Sequence, residues 1–265
     1  MKEIRTLLAG LVLSGLALAL VSSVDAQTVN QGVATVIRIK GAARYNVAGV
    51  WHPLDKVGVA LKPGTLIQTE RTKGSYVDII LGEGNAPIPS ASASTMAYQP
   101  SAEQNVVRIW EDSALKIDKL TSLQTGSDVV TETQLDLQRG RIFGTVKKMS
   151  AASKYEVTIP NGVAGIRGTI YELSAVGVIK VLVGSCIMSF VGADGQARTQ
   201  VVMALQQYDA RTGEIIPLPP PLLPGMEHTA SECWFGPPGP PRWIFPPPPI
   251  FVSPTSGQPP RRPPV

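Results

Sequence analysis

From Val33 to Gln207 apolar and polar residues alternate with a period of two or gather in short apolar runs. Turn residues recur every eight to twelve positions. Val36-Ile37-Arg38-Ile39-Lys40 ends at Gly41. Trp51–Leu54 and Val57–Leu61 precede a Pro63-Gly64 turn, and Thr65–Thr69 follows it. In Tyr76-Val77-Asp78-Ile79-Ile80-Leu81, alternation puts Val77, Ile79 and Leu81 on one face. Val106–Trp110, Ala114–Ile117, Gln134–Leu137 and Ile142–Val146 continue the series. Short strands at this spacing predict an all-β domain, a sandwich, roll or solenoid, rather than βαβ units. No amphipathic helical window of ten residues occurs in the region. The nearest, Gln196–Tyr208, is rich in Val and Gln and reads as a strand.

The stretch Tyr155–Phe190 organises the rest. Val157 and Ile159 end a short strand, the run Asn161–Thr169 turns the chain, and three strand candidates follow, separated by Gly177 and Gly184. Gly162, Gly165 and Gly168 lie three apart, a spacing expected where φ is positive or two backbones pass closely. Arg167 is the only charge between Glu156 and Glu172. A guanidinium in such apolar surroundings is expected to be partly buried and forked onto a carboxylate or backbone carbonyls. Glu111 or Asp112 is the candidate partner. The expectation is a turn-locked β corner pinned by Arg167.

Three other segments set the organisation. Lys2 and Arg5 precede fifteen apolar residues, Leu7–Val21, and the small-residue site Val24-Asp25-Ala26. That is the anatomy of a Sec-type signal peptide over 1–26, cut after Ala26. The apolar run falls short of the ~20 residues that span a bilayer. The mature chain is expected to be periplasmic or secreted, without a membrane span. Residues 83–104, rich in Ala, Ser and Pro, read as a surface loop inserted in the β domain of residues 27–208. Eighteen of the 24 prolines lie between Pro217 and Pro264, so 209–265 reads as a disordered or extended tail rather than a second domain. Trp234, Phe235, Trp243, Phe245 and Phe251 are interleaved with those prolines as candidate docking aromatics, for this chain's own domain or for another protein.

The run Ile159-Pro160-Asn161-Gly162-Val163-Ala164-Gly165-Ile166-Arg167-Gly168-Thr169 resembles the diagnostic end of the FecR domain, a periplasmic β domain. Earlier elements fit the same pattern: Gly41, Trp51 and Leu54, then Leu61–Thr69, Ser75–Leu81 and Leu137-Gln138-Arg139-Gly140-Arg141-Ile142. The 83–104 loop departs from it, standing where the family has a short turn. The resemblance implies a stand-alone exported FecR-like β domain that binds a macromolecule. Pro160, Gly162, Gly165, Arg167, Gly168 and Thr169 carry over as structural marks only. FecR-family relays pass transporter occupancy to a sigma factor through a cytoplasmic helical region, a membrane span and a further C-terminal domain. None of these is patterned here, so only the fold, the compartment and the binding role are implied.

Candidate chemistry is sparse. The net charge of +4 is spread thinly, without the basic cluster that nucleic-acid binding needs. His52 and His228 stand apart from any G-x-S-x-G elbow. Two cysteines and two histidines do not supply a zinc site, and no cofactor is expected. Cys186 and Cys233 admit two readings, a disulfide tying tail to strand or buried free thiols. Gly162, Gly165 and Gly168 lack the spacing and following helix of a phosphate cradle. Glu111 and Asp112, adjacent on a strand end, point to opposite faces and cannot flank one glycosidic bond. The leading reading is a non-enzymatic interaction or signalling module of the cell envelope with an envelope protein as partner. A polysaccharide or peptidoglycan binder using Trp51, Tyr45 or Trp110 is the alternative, and a hydrolase a distant third.

Overall fold

A computed structural model describes residues 29–82, 105–126, 128–192 and 195–233. The leader 1–26, the loop 83–104 and the aromatics Trp234, Phe235, Trp243, Phe245 and Phe251 lie outside these residues. The described residues are mostly strand, as the alternation predicts. Pairing runs through β5 (Ala60–Leu61), β2 (Val33–Lys40), β7 (Tyr76–Gly82), β8 (Asn105–Trp110) and β11 (Arg141–Thr145). It continues through the second half of β13 (Gly162–Ser174), the first half of β14 (Val178–Val191), β16 (Gln206–Asp209) and β17 (Glu214–Pro217). We call this lobe I.

Lobe II runs through β4 (Val50–Pro53), β3 (Ala43–Val47), β6 (Leu66–Thr69), β9 (Ala114–Thr125), β10 (Asp128–Arg139) and β12 (Lys154–Ile159). It then takes the first half of β13, the second half of β14 and β15 (Ala197–Met203). A short β1 (Val29–Gln31) also pairs with β9. Only β10–β12 is parallel among these pairs. Followed from strand to strand, the pairings do not return to their start. The whole is one large open sheet, folded over at the β13–β14 ribbon.

The fold-over has a local cause. Arg167 pairs with Ser185 and Ile170 with Val183, so Gly168 and Thr169 oppose Gly184 alone. The next pair is Tyr171 with Val181, which leaves Leu182 extra on β14. Two bulges in succession bend both strands sharply. Gly168 (φ +61°) and Gly184 (φ +85°) sit in the left-handed region, and a Cβ on Gly184 would meet the Gly168 carbonyl oxygen at 2.3 Å. The buried Thr169 hydroxyl donates to the Ser185 carbonyl at 2.7 Å, satisfying a group that the bulge takes out of the ladder. The run Asn161–Thr169 is therefore not a turn. The turn lies at Pro160-Asn161, and the rest is a long strand interrupted by a bulge. Gly184 bends β14 without ending it, whereas Gly177 does stand between strands.

Alternation sends Ala34, Val36, Val77, Ile79, Val107, Ile109, Tyr171 and Val181 from lobe I into a common core with Leu115, Ile117, Leu135, Val157, Ile166 and Met188 from lobe II. The opposite face of lobe I carries a second apolar group, Ile37, Ile80, Val106, Phe143, Ile170 and Leu182. It is covered by residues read from sequence as extended tail. After β17, Leu218 is buried and Pro220–Leu222 form a 3-10 turn. Helix α1 (Leu223–Cys233) then lays Met226, Ala230 and Cys233 on that face. Over residues 209–233 the structure thus differs from the reading of 209–265 as a disordered or extended tail, and 234–265 lie outside the described residues. Within the helix the only proline is Pro224, in the first turn, where a missing N–H breaks no helical bond.

These contacts separate the glycines of the β13–β14 ribbon. Gly184→Ala should cost about 3 kcal/mol or more, from a strained φ and a backbone clash. Gly165→Ala meets nothing nearer than 3.8 Å and should change stability by less than ~0.5 kcal/mol. Denaturant midpoints of the two variants check the contrast.

Candidate functional site

The outward face of lobe I carries the structure's most deeply buried charges. Cross-strand register aligns Arg38, Asp78, Arg108, Phe143, Glu172 and Lys180 in one row. Neighbours across a sheet interact directly, and opposite charges stabilise the pair. Arg108 grips Asp78 in a two-pronged bond, Nε to Oδ1 and Nη2 to Oδ2, each 2.8 Å. Their side chains are 1% and 0% exposed. Arg38 adds a third bond to Asp78 at 3.2 Å.

Helix α1 closes the network. Glu232 accepts from Arg108 Nη1 at 2.5 Å, and its backbone carbonyl accepts from Arg38 Nη1 at 2.7 Å. Two guanidinium groups at the last turn also complement the negative end of the helix dipole. Burial works against the charged Arg108, but its hydrogen bonds to Asp78 and the Asp78 charge outweigh that and push its pKa up. Burial likewise raises Glu232, yet the Arg108 bond and charge win, and the carboxylate is held below its ordinary value.

Aromatic rings wall one side. The Arg108 guanidinium lies 3.9 Å from the Tyr76 ring centre and 5.3 Å from that of Trp110. Arg141 covers Trp110 at 4.5 Å. Tyr76 and Trp110 meet edge to face at 6.0 Å. Arg141 also bonds Glu111 (3.2 Å) and Glu172 (3.0 Å), and Lys180 joins Glu172 at 2.7 Å. Cations stacked on ring faces and paired with carboxylates give a rigid, nearly neutral surface.

Several sequence-stated expectations change. Arg167 is not the buried brace: its side chain is exposed and donates to the Met149 carbonyl at 3.2 Å. Alternation explains this, since the buried Ala164 and Ile166 face the core and Arg167 faces out from lobe II. Neither proposed carboxylate serves it. Glu111 pairs with Arg141, and Asp112, at a turn with φ +51°, pairs with Arg71 and Arg139 at 3.1 Å each. Of the two readings of the cysteines, the structure has the buried free thiols. Cys186 and Cys233 are free thiols, buried in different apolar clusters on opposite faces of the sheet. Burial pushes Cys186 up to about 12 and Cys233 higher still, so both are poor nucleophiles.

The motif residues do stay together. Pro160 lies at the β12–β13 turn, a Cβ on Gly162 would meet the Ser189 carbonyl oxygen at 2.5 Å, and Gly168 and Thr169 form the bulge. The three aromatics proposed for sugar stacking separate. Tyr45 stacks on His52 at 5.2 Å, and Trp51, 40% exposed, is covered by Arg44 at 4.2 Å, both on the β3–β4 hairpin. Trp110 is packed in lobe I. Sequence reasoning missed the roles of Arg38, Asp78, Arg108 and Glu232. A signal existed: Asp78 and Arg108 are single opposite charges, each inside an apolar strand.

Two measurements follow from this geometry. Arg108→Ala strands a buried carboxylate and should cost about 3–5 kcal/mol, whereas Arg167→Ala should stay within ~0.5 kcal/mol. Chemical unfolding of both variants checks this. Because the Glu232 carboxyl is depressed in the folded state, its contribution to α1 docking is complete above its ordinary 4.5. That contribution is lost as pH falls below 4.5 through the lowered folded value. Arg108, Arg38, Asp78, Tyr76 and His228 surround that carboxylate. Hydrogen-exchange protection of the α1 amides should drop in that window while the core strands stay protected.

The family model described as FecR protein matches residues 100–185. That span runs from the entry to β8 to the middle of β14 and holds the motifs Leu137–Ile142 and Ile159–Thr169. No curated protein matches the chain. Two crystal structures of a proposed anti-sigma factor from Parabacteroides distasonis are similar at 13% identity and a TM-score of 0.32, covering 44% of this chain. The match takes in 51% of that protein, so the chain spans about half its length. Over residues 100–185 the chain therefore matches the FecR family model.

Proposed function

We propose that this chain is an exported, non-enzymatic FecR-domain protein that works as an interaction or signalling module of the cell envelope. The observation that carries the reading is the FecR-family stretch itself, which coincides with the folded-over ribbon and its approach strands. That family supports a regulatory role with protein partners. The charges available for chemistry on lobe I are tied into ion pairs. The chain also offers a surface. The outward face of lobe II near β15 leaves Ile187, Val191, Val201 and Met203 about half exposed, beside a strand paired on one side only. Uncovered apolar side chains at a sheet edge suit a docking protein. Among the described residues no helix is long and apolar enough to cross a membrane.

Export and partnership are tested together in a bacterial host. The full chain should be recovered outside the cytoplasm with an intact mass beginning at Gln27. A photo-crosslinking residue at Met203 should yield a discrete protein adduct in envelope fractions. Retention in the cytoplasm at full mass would contradict the export reading. Co-sedimentation with purified peptidoglycan in place of a protein adduct would favour the polysaccharide alternative.

A further inference from the structure

Helix α1 is a weak helix by its own sequence. Gly225, Thr229 and Ser231 lower its intrinsic propensity. Its eleven residues fall short of the ~12–15 that an isolated helix needs in water. The 3-10 turn that leads into it has no side-chain cap. It holds its shape because lobe I receives it.

That face is built as a receptor. Its floor is Ile37, Ile80, Val106, Phe143, Ile170 and Leu182, into which Met226, Ala230 and Cys233 pack. At its end Arg38 and Arg108 share the buried carboxylate of Asp78, and Glu232 pairs with Arg108. The Arg38 bond to the Glu232 carbonyl fixes where the helix must stop. A bare face would expose the apolar floor and leave Arg108 without its Glu232 partner. It therefore suits an occupant with apolar residues at i, i+4 and i+7 and an acid at i+6. Those are the spacings of Met226, Ala230, Cys233 and Glu232.

The connection to the helix is Pro219-Pro220-Pro221-Leu222. Proline runs prefer an extended course with no internal hydrogen bonds. The closed connection is instead bent, with a backbone bond from Leu222 N to Pro219 O at 2.9 Å. Straightening it carries α1 away from its own sheet without disturbing the two-lobed core. We propose that α1 exchanges between two copies of this chain, each copy's helix occupying the lobe I face of the other. Every contact of the closed monomer is available in the exchanged pair, so only the freedom lost on association opposes it. The segment beyond Cys233 then leaves from the partner's face, which places the two proline-rich arms on one assembly.

The test uses the full chain. Light scattering across a wide concentration range should show the wild type passing from monomer to dimer. Replacing Pro220 and Pro221 by Gly relaxes the connection and should weaken dimerisation by about tenfold. In parallel, a fluorescent synthetic peptide of residues 218–233 is titrated into the full chain carrying Glu232→Arg, whose own helix is repelled by Arg108. The peptide should bind saturably, and the same peptide with Glu232→Arg should bind at least about tenfold more weakly. Core stability of the variant chain, read by its unfolding midpoint, confirms that it is folded. A folded variant that ignores the peptide overturns the proposal. So does a wild-type chain that stays monomeric throughout while the peptide binds, since the face would then be open to a foreign helix but not to exchange.

Discussion

The bond between Arg108 and Asp78 fixes more of this structure than any other contact. Both charges are out of water, and burying either alone would cost several kcal/mol. Their two-pronged geometry offsets that cost only while β7 and β8 keep register. Register is set by Val77, Ile79, Val107 and Ile109 on the inward face. Cover is supplied by α1, which brings Glu232 as the balancing carboxylate. One ion pair thus couples the core sheet to a segment 124 residues further along the chain.

The same sheet shows two outward faces with opposite fates. On lobe I, α1 turns that face into a second apolar cluster laced with ion pairs. On lobe II, no described residue covers the face near β15, and Arg167, Ile187, Val201 and Met203 are exposed there. The bend at Gly168 and Gly184 makes this division. It carries one two-stranded ribbon from one lobe into the other, so the ribbon's face serves as floor for a helix in one half and as open surface in the other.

How much of this is legible in the sequence follows from that division. Strands were legible because period-two alternation reports which residues face a common core. The residues Val106–Trp110 and Tyr76–Leu81 were correctly placed on that ground. Alternation cannot report whether the other face is covered, because the cover comes from residues distant in sequence. Arg108 and Arg167 look alike in the chain, each a lone charge among β-branched neighbours and each on an outward face. Only one lies under a helix, and the reading chose the other. The helix was hidden because its prolines, Pro217 to Pro224, precede or open it, and a high proline count reads as an extended arm. The bulge was hidden because Gly168 and Gly184 act as a pair, and each alone resembles a strand end. The FecR motif was legible as a motif, but what its glycine and threonine do required seeing the strand opposite.

Asp78 and Arg108 act as one unit in holding lobe I together. A double-mutant cycle with Asp78→Asn and Arg108→Met, read by chemical unfolding, measures that directly. The expected result is a coupling of about 2 kcal/mol or more, with the double variant more stable than the two single losses added together. Coupling indistinguishable from zero would mean that the two side chains are independent and that the brace lies elsewhere.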